Sequence, residues 1–449
     1  MREDFIHYLW RFARFDLLNL KTTEGVPIAI QDFGEYNRLN AGPDFHSAQL
    51  RIDDMHWAGH VEMHLRSSDW FAHGHQDDPA YDNVILHVVL EEDEPAIDTQ
   101  GRRIPCLELS KRIPPGLAKT YWRLMNNEYW IPCQNQIGSV SDLHLKSWLD
   151  RLVIERLEVR AGDIGKRLEQ NKNDWEATFY ERIARSLGGR INDDAMEMLA
   201  RSVPLKIALR HKSSLIQLEA IYFGQSGLLE SAPDGEPYID RLKAEYKLLA
   251  HKYRLTPLPM TAWRYLRLRP NNFPTIRIAQ LATLVYRSGQ LFSKVLAAAD
   301  IKELNHTFDV KVSHYWREHY RFGKTAKASM KRLGKDALRS LFINAVAPIY
   351  LLYGQMQGDD RFLEKAIRLL EQLPAEKNAE IKKWNKLGVI PEHAADTQAL
   401  LQLKRSYCDK NRCLDCVIGC RILSRPEPVL KPYLSLNEEA QLYEIAKSA

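Results

Sequence analysis

The chain is short of cysteine, with six in 449 residues. That is too few for a disulfide scaffold in a chain this long. Long apolar runs are lacking as well. No window of about 20 apolar residues occurs, so no membrane span is expected. The most apolar helical segment, 337–353, is interrupted by Asn344 and Pro348 and reads as a buried core helix. The first sixteen residues mix polar and aromatic side chains and lack the basic start and apolar stretch of a secretion signal, so a cytoplasmic location is expected. Hydrophobic content of 45% and charged content of 27% exclude general disorder. The length exceeds one ordinary core and implies two or three domains.

What is present is unevenly distributed. The net charge is +5, but residues 1–135 hold 13 basic against 21 acidic side chains, a net of −8, and the remainder holds 50 against 37, a net of +13. An acidic domain beside a basic body suits a nucleic-acid enzyme, with carboxylates for a metal and cations for phosphates. The plainer reading is a mildly basic, solvated helical domain.

Residues 3–17 carry apolar side chains near a 3.6 period and predict an amphipathic helix. A β-type run follows at 26–36, then a turn-rich stretch at 37–43. Residues 47–52 and 57–65 alternate around Asp53-Asp54 and predict a hairpin. Residues 84–90, VILHVVL, predict a central strand, and 104–109 another. From 142 to 403 the period is helical almost throughout, punctuated at Gly188-Gly189 and Pro257-Leu258-Pro259. Beyond Arg405 come a cysteine cluster, a Pro-rich connector and a closing helix near Leu436. The expected fold is α+β: a small mixed-sheet domain over 1–135, an all-α region over 136–403, and a cysteine tail over 404–449.

The hairpin carries the most chemistry. Asp44 stands at the mouth of its first strand. Glu62 and His64 lie two apart on the second, so their side chains leave one face, which His60 is expected to share. Two carboxylates brought to one end of a sheet offer the oxygen ligands that hard divalent cations want. Pro43-Asp44 followed by Glu62-Met63-His64 resembles the PD-(D/E)XK nuclease superfamily, with its α-β-β-β-α-β core. His64 stands where that superfamily has lysine. The resemblance implies Mg²⁺ or Mn²⁺ on Asp44 and Glu62, His64 as base or ligand, and Glu3 or Asp4 in place of the acidic residue of the first helix. His73 and His75, set among carboxylates, form a second candidate metal-binding pair. His87 alternates with Ile85 and Val89 and reads first as a hydrogen-bonded core residue.

Cys408, Cys413, Cys416 and Cys420 give C-x4-C-x2-C-x3-C. Four thiolates this close point to a structural metal, zinc or an iron–sulfur cluster, because the first three follow a known iron–sulfur spacing. Cys106 and Cys133 read as inert buried thiols. Basic and aromatic residues interleave around Arg267 and Arg269, and again around Arg321 and Lys324. These four are candidate phosphate contacts, although aromatic residues at helical spacing are more often core.

Three segments, NAGPDFHSAQLRI with GHVEMHLRSSDW, LRLRPNNFPTIRIAQLA, and CLDCVIG, together resemble an uncharacterised bacterial group, the domain-of-unknown-function 2851 family. That resemblance implies no activity. The residues themselves lead to a metal-dependent nuclease-like protein that hydrolyses phosphodiester bonds in DNA or RNA. The alternatives are a catalytically inactive nucleic-acid-binding scaffold on a degenerate nuclease core, and a different metallohydrolase built on His73 and His75.

Overall fold

The computed structural model describes residues 1–37 and 41–425. The expected closing helix near Leu436, the connector beyond Arg425 and part of the 37–43 turn lie outside the described residues. The fold is α+β, an N-terminal mixed sheet followed by a large helical region.

Helix α1 spans Glu3–Arg11 and buries Phe5, Ile6, Leu9 and Trp10, the apolar stripe that its 3.6 period requires. It stops six residues short of the expected end. Ala13 adopts φ 49° and the Arg14 amide reaches back to the Leu9 carbonyl, closing the helix. Glu3 and His7, one turn apart, share its other edge.

Six strands form the sheet: β1 (Ile28–Asp32), β2 (Glu35–Tyr36), β3 (Phe45–Ile52), β4 (Met55–Arg66), β5 (Val84–Glu91) and β6 (Cys106–Glu108). The order is β1-β3-β4-β5-β6, with β2 also on β3. The expected single run at 26–36 is two strands, because the chain turns at Gly34, φ 81°. A Cβ there would lie 2.5 Å from the His46 carbonyl oxygen. Strands β3 and β4 form the antiparallel hairpin, turning at Asp53 with φ 55°. Strands β4, β5 and β6 run parallel to one another. Strand β5 is buried from Val84 to Val89, as a strand covered on both faces should be.

The crossover from β4 to β5 contains helix α2 (Asp69–Ala72) and two tight turns, His75–Asp77 and Pro79–Tyr81. Trp70 anchors it in a core with Val84, Ala96 and Ile104. Helix α3 (Leu117–Met125) has no counterpart in the sequence reading. Its Tyr121 stacks on Phe5 with ring centroids 4.4 Å apart and donates to Asp4 Oδ1 at 2.8 Å.

Packing divides the chain into two units: Met1–Trp148 together with the chain from Leu403 onward, and Leu149–Gln402. The cysteine segment therefore belongs to the sheet unit and does not stand alone. Arg14 donates to Ser424 Oγ at 2.7 Å, Arg11 meets Asp415 at 3.4 Å, and Arg425 donates to the Ser139 carbonyl. The helical unit is built around Pro274–Arg287, buried from Pro274 to Val285, with proline in its first turn as helix starts favour. Helix α4 spans Asp142–Gln170. Within the helical unit, α5 (Trp175–Ser202) is kinked at Gly189, φ 61°.

Among the described residues one helix, Lys335–Gln357, is long and apolar enough to cross a membrane. Of its most apolar window 67% is buried within the fold, as in a core helix. The helical region also contains a short ribbon, β7 (His319–Arg321) and β8 (Lys324–Thr325), turned by Gly323 at φ 67°. Arg321 and Lys324 thus sit on strands where a helical period was expected.

Gly59 on β4 is a close-approach position. A Cβ there would lie 2.6 Å from the Asn83 carbonyl oxygen and 2.4 Å from Ile85 Cγ2. Gly59→Ala should therefore push β4 away from β5 and cost about 1–3 kcal/mol in urea unfolding; an unchanged midpoint would contradict this packing.

Candidate functional site

The site grows from the β3–β4 ladder. Phe45 pairs with Val61, which places Asp44 opposite Glu62. Each carboxylate is held by the other's strand: the Asp44 amide donates to Glu62 Oε2 at 3.0 Å, and the Met63 amide donates to Asp44 Oδ2 at 3.0 Å. The convergence expected of Asp44 and Glu62 is present in the structure. From α1, His7 brings Nε2 to 3.1 Å from Asp44 Oδ2. Glu3, one turn earlier, lies within the electrostatic reach of His73, Asp44 and His7.

Parallel pairing sets Glu62 beside His87 on β5. His64 Nδ1 lies 2.8 Å from His87 Nε2, and His64 Nε2 lies 3.0 Å from His73 Nδ1. His73 closes α2, and His75 opens the next turn. Gly74 between them takes φ 75°, the left-handed conformation that glycine reaches without cost. The bend brings both imidazoles beside His64. His75 Nε2 lies 3.4 Å from Glu62 Oε1, and His64 Nε2 lies 3.8 Å from the same oxygen. Tyr81 stacks on His75 with centroids 3.8 Å apart. Among the described residues, His64, His73 and His75 are the one group of three or more potential metal ligands whose donor atoms all lie within 4.8 Å of one another.

These positions fit a metal ion. Four donors at about 2.1 Å around one tetrahedral ion stand about 3.4 Å apart; here His64 and His73 are 3.0 Å apart, and Glu62 Oε1 lies 3.4 Å from His75 and 3.8 Å from His64 but outside the group of three histidines whose donor atoms all lie within 4.8 Å. His75 Nε2 is buried and makes no hydrogen bond, an unmet polar atom in the middle of the group. A cation on His64 Nε2 requires the ring's single proton on Nδ1, where His87 Nε2 accepts it.

Electrostatics point the same way. Burial is the main cause that lowers His64 to about 2, with the neighbouring rings of His87, His75 and His73 adding to it. Burial likewise lowers His87 to about 3. Both stay neutral, the form that binds metal. Burial, and then the charge of Asp44, raises Glu62 to about 9. Burial also raises Glu3. His7 is raised: burial opposes its charge, but the hydrogen bond to Asp44 and the nearby carboxylates outweigh that.

His60 requires a correction. Bulges in β3 and β5 change the partners opposite it, although β4 itself is continuous there. Its ring stands edge-on to His46 at 4.8 Å, and Ser47 N–H donates to its Nδ1 at 3.4 Å. It is not part of the group. His87, read as a core residue, is buried as expected but serves as the hydrogen-bonding partner of His64. His7 escaped the sequence reading, and its spacing of four from Glu3 on an amphipathic helix was the available signal.

A cleft of about 240 Å³ opens beside His7. Arg2, Arg11, Lys410 and Arg412 line it, with Asp4 and Asp415 opposing them. Lys410 and Arg412 come from the loop between Cys408 and Cys413, nearly the whole chain away in sequence. In the helical unit, Arg267, Arg269, Arg321 and Lys324 are all exposed. Arg321 lies over the rings of Tyr265 at 4.4 Å and Phe273 at 4.8 Å, a cation–π arrangement that holds it in place.

The model of a protein family of unknown function, DUF2851, matches residues 3–379. The chain belongs to the DUF2851 family. The match contains every residue of the carboxylate–imidazole group in this DUF2851 chain and stops before the cysteine segment. No curated protein and no solved structure matches.

The two sets of shifts give the metal-free protein a stability optimum near pH 6.5. His64 and His87 are depressed, so their contribution is lost as pH falls below about 6.5, the unfolded value. Glu62 is raised, so its contribution is complete below about 4.5 and is lost as pH rises toward 9. Each proton is worth up to about 1.4 kcal/mol per pH unit. Melting of chelator-treated protein should decline on both sides, and Glu62→Gln should make the alkaline limb shallower and the acid limb steeper between about pH 4.5 and 6.5. An alkaline limb unchanged in that variant would contradict the assignment.

Proposed function

We propose that this protein is a metal-dependent phosphodiesterase acting on nucleic acid. The observation that carries the proposal is the meeting of Asp44, Glu62, His64, His73 and His75 in one place beside a cleft lined by four basic side chains. Glu62 with the three histidines would hold the ion, and Asp44 would lie alongside it. Three imidazoles in the donor set favour Mn²⁺ or Zn²⁺ over magnesium, which prefers oxygen ligands. When bound, such an ion lowers the pKa of a coordinated water and offsets charge on a phosphoryl oxygen.

The remaining steps belong to the chain itself. His7 fixes the Asp44 carboxylate through its contact with Oδ2. His87 sets the tautomer of His64. His64 stands in the lysine slot but is neutral and held between two rings, so it supplies no fixed positive charge. Arg2, Arg11, Lys410 and Arg412 take over that task and bind the phosphodiester in the cleft. Glu3, a carboxylate made more basic by burial, would accept the proton of the attacking water. Arg267, Arg269, Arg321 and Lys324 contact further phosphates. A reducing, cytoplasmic compartment suits the six unpaired thiols.

The test is a cleavage assay on single- and double-stranded DNA and RNA, with Mn²⁺, Zn²⁺ or Mg²⁺ added to chelator-treated protein. Cleavage should depend on Mn²⁺ or Zn²⁺ and fall at least about 100-fold in Asp44→Asn, Glu62→Gln and His64→Ala. Arg412→Ala should weaken substrate binding with a smaller effect on turnover. Salt-sensitive binding of nucleic acid with no cleavage under any metal would overturn catalysis and leave the scaffold reading.

A further inference from the structure

A fifth cysteine is packed against the cysteine segment. Cys133, 275 residues before Cys408 in sequence, lies in the turn after α3, and that turn packs against the cysteine segment. Lys404 lies over the Trp130 ring at 5.3 Å, and Arg425 donates to the Ser139 carbonyl. Helix α3 and the Ile137–Ser139 turn both contact the Val417–Leu423 helix. Cys133 is buried between these contacts. Cys133 lies within electrostatic reach of Cys408, Cys413 and Cys416.

Cys420 is differently placed. Its Sγ–H donates to the Leu414 carbonyl at 3.1 Å, so its thiol is already committed to the backbone. Burial raises the Cys416 thiol, and the backbone N–H groups of Gly419 and Ile418 act in the opposite direction. Several N–H groups around one buried sulfur suit a thiolate ligand, not a neutral thiol. Gly419 permits the close approach, since a Cβ there would lie 2.1 Å from the Cys413 carbonyl oxygen.

We propose that Cys133, Cys408, Cys413 and Cys416 hold an iron–sulfur cluster, with Cys420 outside the ligand set. Two further facts select this chemistry. Among the described residues no three of these sulfurs lie within 4.8 Å of one another, whereas one zinc draws its four sulfurs to about 3.8 Å. A cluster interposes iron and sulfide and spans the wider spacing. The pattern Cys408-x4-Cys413-x2-Cys416 with a remote fourth cysteine is also a spacing of iron–sulfur proteins. All six cysteines are free of disulfides, so the four thiols are available. The loop so fastened carries Lys410 and Arg412 of the basic cleft, and Asp415, which meets Arg11 on α1.

The experiment is iron, sulfide and zinc analysis of full-length protein purified without oxygen, with visible absorption. Wild type should contain iron and acid-labile sulfide in near-equal amounts and show a broad visible band. Cys133→Ser and Cys413→Ser should each lower iron at least about tenfold, while Cys420→Ser and Cys106→Ser retain the wild-type content. The wild-type composition and the Cys420→Ser result stand even if the ligand variants fail to fold. Zinc in place of iron in wild type would overturn the cluster. Loss of iron in Cys420→Ser, or its full retention in a Cys133→Ser protein with wild-type circular dichroism, would overturn the ligand set.

Discussion

Two hydrogen bonds across the β3–β4 ladder, one from each strand to the other's carboxylate, hold Asp44 and Glu62 closer than their charges favour. Glu62 is buried, and an isolated anion there would be costly. The two ways to relieve that cost are a proton or a cation. The raised Glu62 is the proton solution, adopted when no cation is bound. Everything around it prepares for the other. The imidazoles that face Glu62 are neutral, one of them ends in an unpaired nitrogen, and His87 stands behind His64 to accept its proton.

The scaffold supplies this arrangement from parts with separate reasons to form. The hairpin forms from its alternation and its tight turn. Parallel β5 is buried on both faces and carries His87 beside Glu62. The crossover places His73 and His75 through one left-handed glycine. Helix α1 packs by its apolar stripe, which leaves Glu3 and His7 directed at the carboxylates. The cysteine segment then fastens to α1 through Arg11 and to the turn that follows it through Arg14, so residues 415–424 help fix the helix that carries His7.

Local structure was legible in the sequence where a single period dominates. Alternation gave the hairpin, and a β-type run interrupted only by His87 gave β5. The reading failed where spacing along one element does not decide the partner. His60 keeps its spacing of two from Glu62, but its ring packs edge-on to His46 instead. Residues 319–325 read as helix until a left-handed glycine turns them into a ribbon. The candidate site was half legible. Asp44, Glu62 and His64 share a hairpin, so spacing alone could bring them together. His7, Cys133, Lys410 and Arg412 arrive through tertiary packing, which no local period records.

The account depends on one ion shared by Glu62 and the three histidines. Crystals soaked in Mn²⁺ and measured at the manganese absorption edge test this most directly. A single anomalous peak within bonding distance of Glu62, His64, His73 and His75 is the predicted result. Ordered side chains with no peak there, or a peak bound only by surface carboxylates elsewhere, would contradict it.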